Sequence, residues 1–237
     1  MLERSLAKLA AGEQLTIVVL GDSIADVTFH TRGHMNWVSL LQEALFETYG
    51  CGVCLMINAA QCASTCRDAL SRLERDVLRF SPDLVIIAYG MNDAIGGVDQ
   101  LENFRTQLRA LVGTIQARCG SEILLATPNP VVTVHGLPLP PEQPAPGKAW
   151  NPVRRPLDSY AAAIVAMAQE LDCAVVDHYT AWTTRQFHVK HPVADPTGLW
   201  PRMADAIHPG SRGHLAFFRE LAPLFGVAKY FPWEEVE

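Results

Sequence analysis

The sequence predicts an α/β fold built on a central five-stranded parallel sheet. Three observations carry this: five short apolar runs rich in Val, Ile and Leu recur along the chain, they lack the polar alternation of half-exposed strands, and helical spacing fills the stretches between them. Repetition of βα units implies right-handed crossovers and helices on both sheet faces.

Residues 15–20 form the first predicted strand, which runs directly into Gly21-Asp22-Ser23. Residues 37–49 have the spacing of the first crossover helix, followed by a strand at 53–57 and a helix at 65–79. A third strand at 84–89 leads to a helix at 101–118, and a fourth at 122–127 precedes a helix at 157–171. The last strand, 174–176, is separated from a final helix at 211–225 by a Pro- and Trp-containing stretch. Seven of the nineteen residues from 138 to 156 are proline, which excludes regular helix or strand there. The chain reads as one domain, 1–237, with this proline-rich insert at about 131–157 wrapping over the C-terminal sheet edge as a pocket wall or a contact between copies in a homo-oligomer, a solvated linker being the alternative.

A chain of 237 residues with 49% hydrophobic and 19% charged side chains has a globular profile and enough apolar material for a full core. Its formal charge of -6 offers no broad basic surface, which disfavours nucleic acid and anionic membranes as partners. No stretch reaches the roughly twenty apolar residues of a membrane span, and residues 1–12 lack the apolar core of a signal peptide, so a cytoplasmic location is expected. Four of the six cysteines fall between 51 and 66, but they are distributed over an expected strand, loop and helix, not over facing pairs of knuckles. Free thiols packed as small hydrophobes fit this better than zinc or disulfides. Cys62 is the one expected near the site.

Four segments carry candidate chemistry. Gly-Asp-Ser alone is an ordinary turn sequence, but at the end of the first strand it places Ser23 at the sheet crevice, beside the positive end of the next helix. Asn58-Ala59-Ala60-Gln61-Cys62-Ala63-Ser64-Thr65 follows the second strand with small residues, and the Ala63 N–H is the best candidate there for an oxyanion donor. Gly90-Met91-Asn92-Asp93 brings an amide side chain, Asn92, to the same edge. Asp205-Ala206-Ile207-His208 supplies a carboxylate three residues before an imidazole, the spacing that lets Asp205 bond one ring nitrogen while the other faces Ser23.

These four blocks, in this order, resemble those of the SGNH (GDSL-type) hydrolases over nearly the whole chain. The resemblance implies a three-layer flavodoxin-like fold and hydrolysis of small ester or thioester substrates. It implies Ser23 as nucleophile, His208 as base, Asp205 as its orienter, and the Ser23 N–H, a loop N–H and Asn92 as oxyanion hole. It implies no metal and no organic cofactor. Ala63 departs from the pattern, since glycine is usual there; alanine tolerates positive φ poorly, and a misplaced donor costs on the order of a hundredfold in rate.

Several other residues are assigned plainer roles. His30 and His34 are four apart, but Gly33 and the loop-like context place them along the pocket instead of on a helical metal site. His188 and His191 are read as solvated loop histidines ahead of a place bordering the site, His214 as structural, and Arg154-Arg155 as a pair that is solvated or packed against an acidic neighbour ahead of one that recognises an anion. Asp22 and Asp93 hold backbone turns. Three functional readings follow: an esterase for short-acyl esters, an acyltransferase or acyl-thioesterase using the same serine, and a noncatalytic ligand-binding module. Nucleotide binding is disfavoured, because Gly21-Asp22-Ser23-Ile24-Ala25 contains neither G-x-G-x-x-G nor a P-loop lysine.

Overall fold

The computed structural model describes residues 2–131, 156–184, 202–205 and 207–227. The expectations for residues 132–155, including Arg154 and Arg155, and for His188 and His191 lie outside the described residues.

Five strands, β1 (Leu15–Gly21), β2 (Cys54–Asn58), β3 (Leu84–Ala88), β4 (Glu122–Ala126) and β5 (Ala174–Val176), form one parallel sheet in the order β2-β1-β3-β4-β5. This is the flavodoxin-like doubly wound order, and its direction reverses between β1 and β3. The crevice at such a reversal, outside the carboxyl ends of the strands, is where open α/β sheets bind ligands.

Eight helices accompany the strands among the described residues: α1 (Glu3–Ala11), α2 (Ser23–Asp26), α3 (Trp37–Tyr49), α4 (Cys66–Asp76), α5 (Leu101–Cys119), α6 (Leu157–Glu170), α7 (His178–Thr184) and α8 (Ser211–Leu221). α4, α5 and α6 contact one another in series, and α3 packs on α8, so two helical layers enclose the sheet. Ile17, Val18, Val19 and Leu20 of β1 and Leu84, Val85, Ile86 and Ile87 of β3 are buried, which explains why neither strand alternates with polar residues. Each such side chain contributes roughly 1.5–3 kcal/mol by leaving water, and this burial fixes β1 and β3 as the rigid centre from which the site is built.

Strand register aligns the segments that carry chemistry. Gly21 pairs with Ala88 and Val19 with Asn58, so the loops after β1, β2 and β3 leave the sheet side by side. The chain after β2 stays against β1, with Ala59 N–H donating to Val19 O at 2.9 Å and Gln61 N–H to Gly21 O at 3.0 Å. α4 begins at a complete capping box, in which Thr65 and Asp68 satisfy each other's backbone amides.

Candidate active site

Gly21 lets β1 turn sharply into α2. A Cβ there would press on Ala25 Cβ at 3.0 Å and on the Ala88 carbonyl at 3.3 Å. The turn is held by Asp22, whose carboxylate accepts the Ile24 N–H at 3.0 Å as the N-cap of α2. Ser23 is the first residue of that helical turn and is buried to 8% exposure.

Residues 202–205 and 207–210 double back in front of α8. Gly210 N–H donates to Arg202 O at 2.7 Å, Ala204 N–H to His208 O at 2.8 Å, and Met203 bridges Pro209. Inside this closed loop Asp205 Oδ1 accepts the N–H groups of Ile207 and His208, both at 2.7 Å, while Oδ2 lies 2.8 Å from His208 Nδ1. The opposite ring nitrogen, His208 Nε2, is 3.0 Å from Ser23 Oγ. Burial alone would raise the Asp205 carboxyl, but the hydrogen bond and charge of His208, together with the two amides, hold it below the usual carboxylate range. Ser23, His208 and Asp205, 185 residues apart at the extremes, therefore form one continuous hydrogen-bonded chain.

The loop after β2 is fastened from several directions. Asn58 Nδ2 donates to Ala25 O at 2.8 Å, Asp26 accepts the Cys62 N–H at 2.8 Å, and Arg72 Nη1 donates to Ala59 O at 2.7 Å. Asn92 Nδ2 donates to Ser64 O at 3.1 Å, which ties the amide after β3 to the residue after Ala63. Asp93 accepts the Gly90 and Cys66 N–H groups, each at 3.0 Å, so it holds both loops; burial nevertheless pushes its carboxyl up to about 6 against these bonds. Ala63 adopts φ 61°, the left-handed region, and among the described residues its N–H has no acceptor. Ser23, Ala63 and Asn92 thus stand on adjacent loops at one sheet edge, with Asp22 and Asp93 occupied by backbone amides.

One residue not singled out for the site belongs to it. Asn129, fully buried after β4, donates from Nδ2 to Ile207 O at 3.0 Å and anchors the loop between Asp205 and His208. Only the position of Asn129 just past a strand end could have signalled this. His30, expected along the pocket, stacks directly on His208 with centroids 3.7 Å apart and planes 6° from parallel. Its partner in the sequence argument, His34, is exposed. His214 is buried, and its Nδ1 accepts the Trp37 N–H at 3.3 Å.

One ligand atom from each of His30, Asp205 and His208 lies within 4.8 Å of the others, a spacing a metal ion can span. The arrangement nonetheless does not fit one: in nearly parallel rings the nitrogen lone pairs run side by side and do not converge on a point about 2 Å from each. All six cysteines are free; Cys54 and Cys66 are buried and Cys62 is exposed on the loop beside Ala63.

A doubly wound parallel sheet with a serine, an imidazole and a carboxylate linked by hydrogen bonds at its C-terminal edge defines the class: a three-layer α/β protein with a polar cluster at its ligand-binding edge. The GDSL-like Lipase/Acylhydrolase family matches residues 19–216, and the chain belongs to that family. It is 28% identical over 239 aligned positions to an acetylxylan esterase of Geobacillus stearothermophilus, covering 90% of this chain and 96% of that one. An arylesterase of Vibrio mimicus is 35% identical over 91 residues, 38% of this chain and 44% of its own. Among solved structures, a catalytic mutant of the Geobacillus acetylxylan esterase superposes with a TM-score of 0.68 at 22% identity, covering 92% of this chain and 97% of that one. LAE5, an α/β hydrolase enzyme from the metagenome of Lake Arreo, Spain, gives a TM-score of 0.68 at 21% identity, with coverage of 92% and 99%. The chain is accordingly an enzyme, a carboxylic ester hydrolase of the GDSL type. Among the described residues no helix is long and apolar enough to cross a membrane.

Proposed function

We propose that this enzyme hydrolyses small esters with short acyl groups, O-acetyl esters foremost, through a Ser23-His208-Asp205 triad and an acyl-enzyme. The observation that carries the reading is the 3.0 Å approach of Ser23 Oγ to His208 Nε2, with Asp205 at 2.8 Å on the other ring nitrogen. In that arrangement His208 Nε2 accepts the Ser23 proton as Oγ attacks the ester carbonyl carbon, and Asp205 steadies the imidazolium. The tetrahedral oxyanion takes hydrogen bonds from the Ser23 N–H, the Ala63 N–H and Asn92 Nδ2, donors fixed before the substrate arrives. Collapse expels the alcohol, which takes the proton from His208; water, deprotonated by the same ring, then releases the acid and restores Ser23. The preference for acetyl groups is supported by the relative acting on acetylxylan, which this chain matches over 96% of that protein's length.

The test is a hydrolysis panel that varies acyl length at a fixed leaving group and then the leaving group at a fixed acyl chain, run beside Ser23→Ala. Ser23→Ala is expected to lower kcat by at least about 10⁴-fold with its melting transition retained, and acetyl esters to be the best substrates. Turnover surviving in Ser23→Ala would refute the mechanism. Faster cleavage of acyl thioesters, or acylated product forming only when an alcohol or sugar acceptor is added, would reassign the enzyme to a thioesterase or an acyltransferase.

A further inference from the structure

We propose that His30 is a positioning residue for this chemistry: its ring is the plate that holds the His208 imidazole in the plane joining Ser23 to Asp205. The inference rests on the esterase reading above and concerns a residue that forms no part of the hydrogen-bonded chain itself.

The geometry shows what the chain leaves unfixed. His208 is tethered at Nε2 by Ser23 and at Nδ1 by Asp205, two contacts at opposite ends of one ring. Such a pair sets the direction of the line through both nitrogens and leaves the ring free to tilt about it. A face contact removes that freedom, and His30 supplies one, stacked at 3.7 Å and 6°. Phe29 makes a T-shaped contact with His30, with centroids 5.3 Å apart at 85°. The His30 Nδ1 is 3.7 Å from Asp205 Oδ2, beyond hydrogen-bond length, so His30 leaves that oxygen's short contact to His208.

A stacked ring also meets the charge that forms in the reaction. When His208 takes the serine proton it becomes a cation, and a neutral aromatic face beside it is favourable where a second cation would repel. Burial, then the charge of His208, hold the His30 imidazole below its ordinary range against the opposing pull of Asp205. The plate is therefore neutral when its neighbour is charged.

The experiment compares His30→Ala and His30→Phe in the full chain, measuring kcat and KM on an activated acetyl ester and the rate of inactivation by a serine-directed phosphonate. His30→Ala is expected to lower kcat about three- to tenfold and to slow inactivation by the same factor, with KM changed less than about twofold. His30→Phe, which keeps the stacking face and loses both nitrogens, is expected to restore kcat to within about twofold of the parent. It also carries the test if alanine weakens the fold. Unchanged kcat in His30→Ala, a phenylalanine variant no faster than alanine, or a loss confined to KM would each overturn the proposal. Activity that requires Ser23 but ignores His30 removes this inference alone, whereas turnover surviving in Ser23→Ala removes the esterase mechanism beneath it.

Discussion

Ala63 holds a backbone geometry that favours glycine, at φ 61° in the loop that approaches Ser23. Left-handed backbone costs a residue with a Cβ roughly 1–2 kcal/mol, and the neighbouring contacts of Cys62, Ser64 and Cys66 keep the loop in place against it. Ala63→Gly should therefore raise stability by roughly 1 kcal/mol, or about 2–4 °C in Tm for a chain of this size, as read by calorimetry. Because glycine keeps the N–H, kcat should stay within about threefold of the parent. A lower Tm in the glycine variant would mean that the alanine methyl packs more favourably than its backbone strains. At this scale the legible residues were those tied to a strand end. Ser23 and Asn92 follow apolar runs directly, so placing the strands placed them, and the four-residue span from Asp205 to His208 is a local pattern. Asn129 was not legible as part of the site, and His30 was legible as a pocket residue but not as the partner of His208, because each acts through a contact with residues 207 and 208 made across the fold. No spacing rule relates a histidine near one end of a chain to the face of another near its far end.

At the scale of elements, the loop bearing Asp205 and His208 is seated on the first turn of α8. Gly213 makes that seat: a Cβ there would collide with the Arg202 carbonyl and the Pro209 ring, and would touch Trp182 at 3.2 Å. Arg202 O already accepts the Gly210 N–H that closes the loop, so the backbone has little room to yield. Gly213→Ala is expected to destabilise by roughly 1–3 kcal/mol and, by displacing His208 from Ser23, to lower kcat more than tenfold. Thermal melting and steady-state kinetics on one preparation check both; full activity in this variant would show that the loop is positioned from elsewhere. The five strands and five long helices were readable from apolar runs and helical spacing, with boundaries shifted by at most four residues where caps and 3₁₀ turns intervene, as at Leu78–Phe80 after α4 and Ala222–Phe225 after α8. α1, α2 and α7 escaped. α1 has no side-chain cap of its own; Glu122 at the start of β4 accepts the Arg4 and Ser5 N–H groups at 3.0 and 2.7 Å, a tertiary cap more than a hundred residues away. α2 is a single turn of four residues and α7 is seven long, too short to display a helical period.

For the whole molecule, buried titratable groups on both sides of the sheet set how stability follows pH. His214, buried beneath Trp37, is pushed down to about 3 by burial first and then by the charges of His30 and His208, while an unfolded histidine titrates near 6.5. Between those values the unfolded chain binds the extra proton, so stability falls as pH falls, by about 2 kcal/mol at pH 5. His178, held low by burial despite Glu220, adds to the same slope. Asp93 opposes it: with its carboxyl raised to about 6 from 3.8, the folded chain takes a proton first, which returns about 1 kcal/mol by pH 5. Asp205 and Asp76, held low in the fold, lose their contribution only below the unfolded carboxylate range and leave this window untouched. The two histidines outweigh the one aspartate, so Tm should drop by a few degrees from pH 7 to pH 5. His214→Gln keeps an acceptor for the Trp37 N–H and removes the titration, and its Tm should therefore fall less than the parent's over the same interval. Melting curves at pH 7, 6 and 5 for both proteins decide the matter: parallel slopes would show that His214 is not the group through which acid reaches the core.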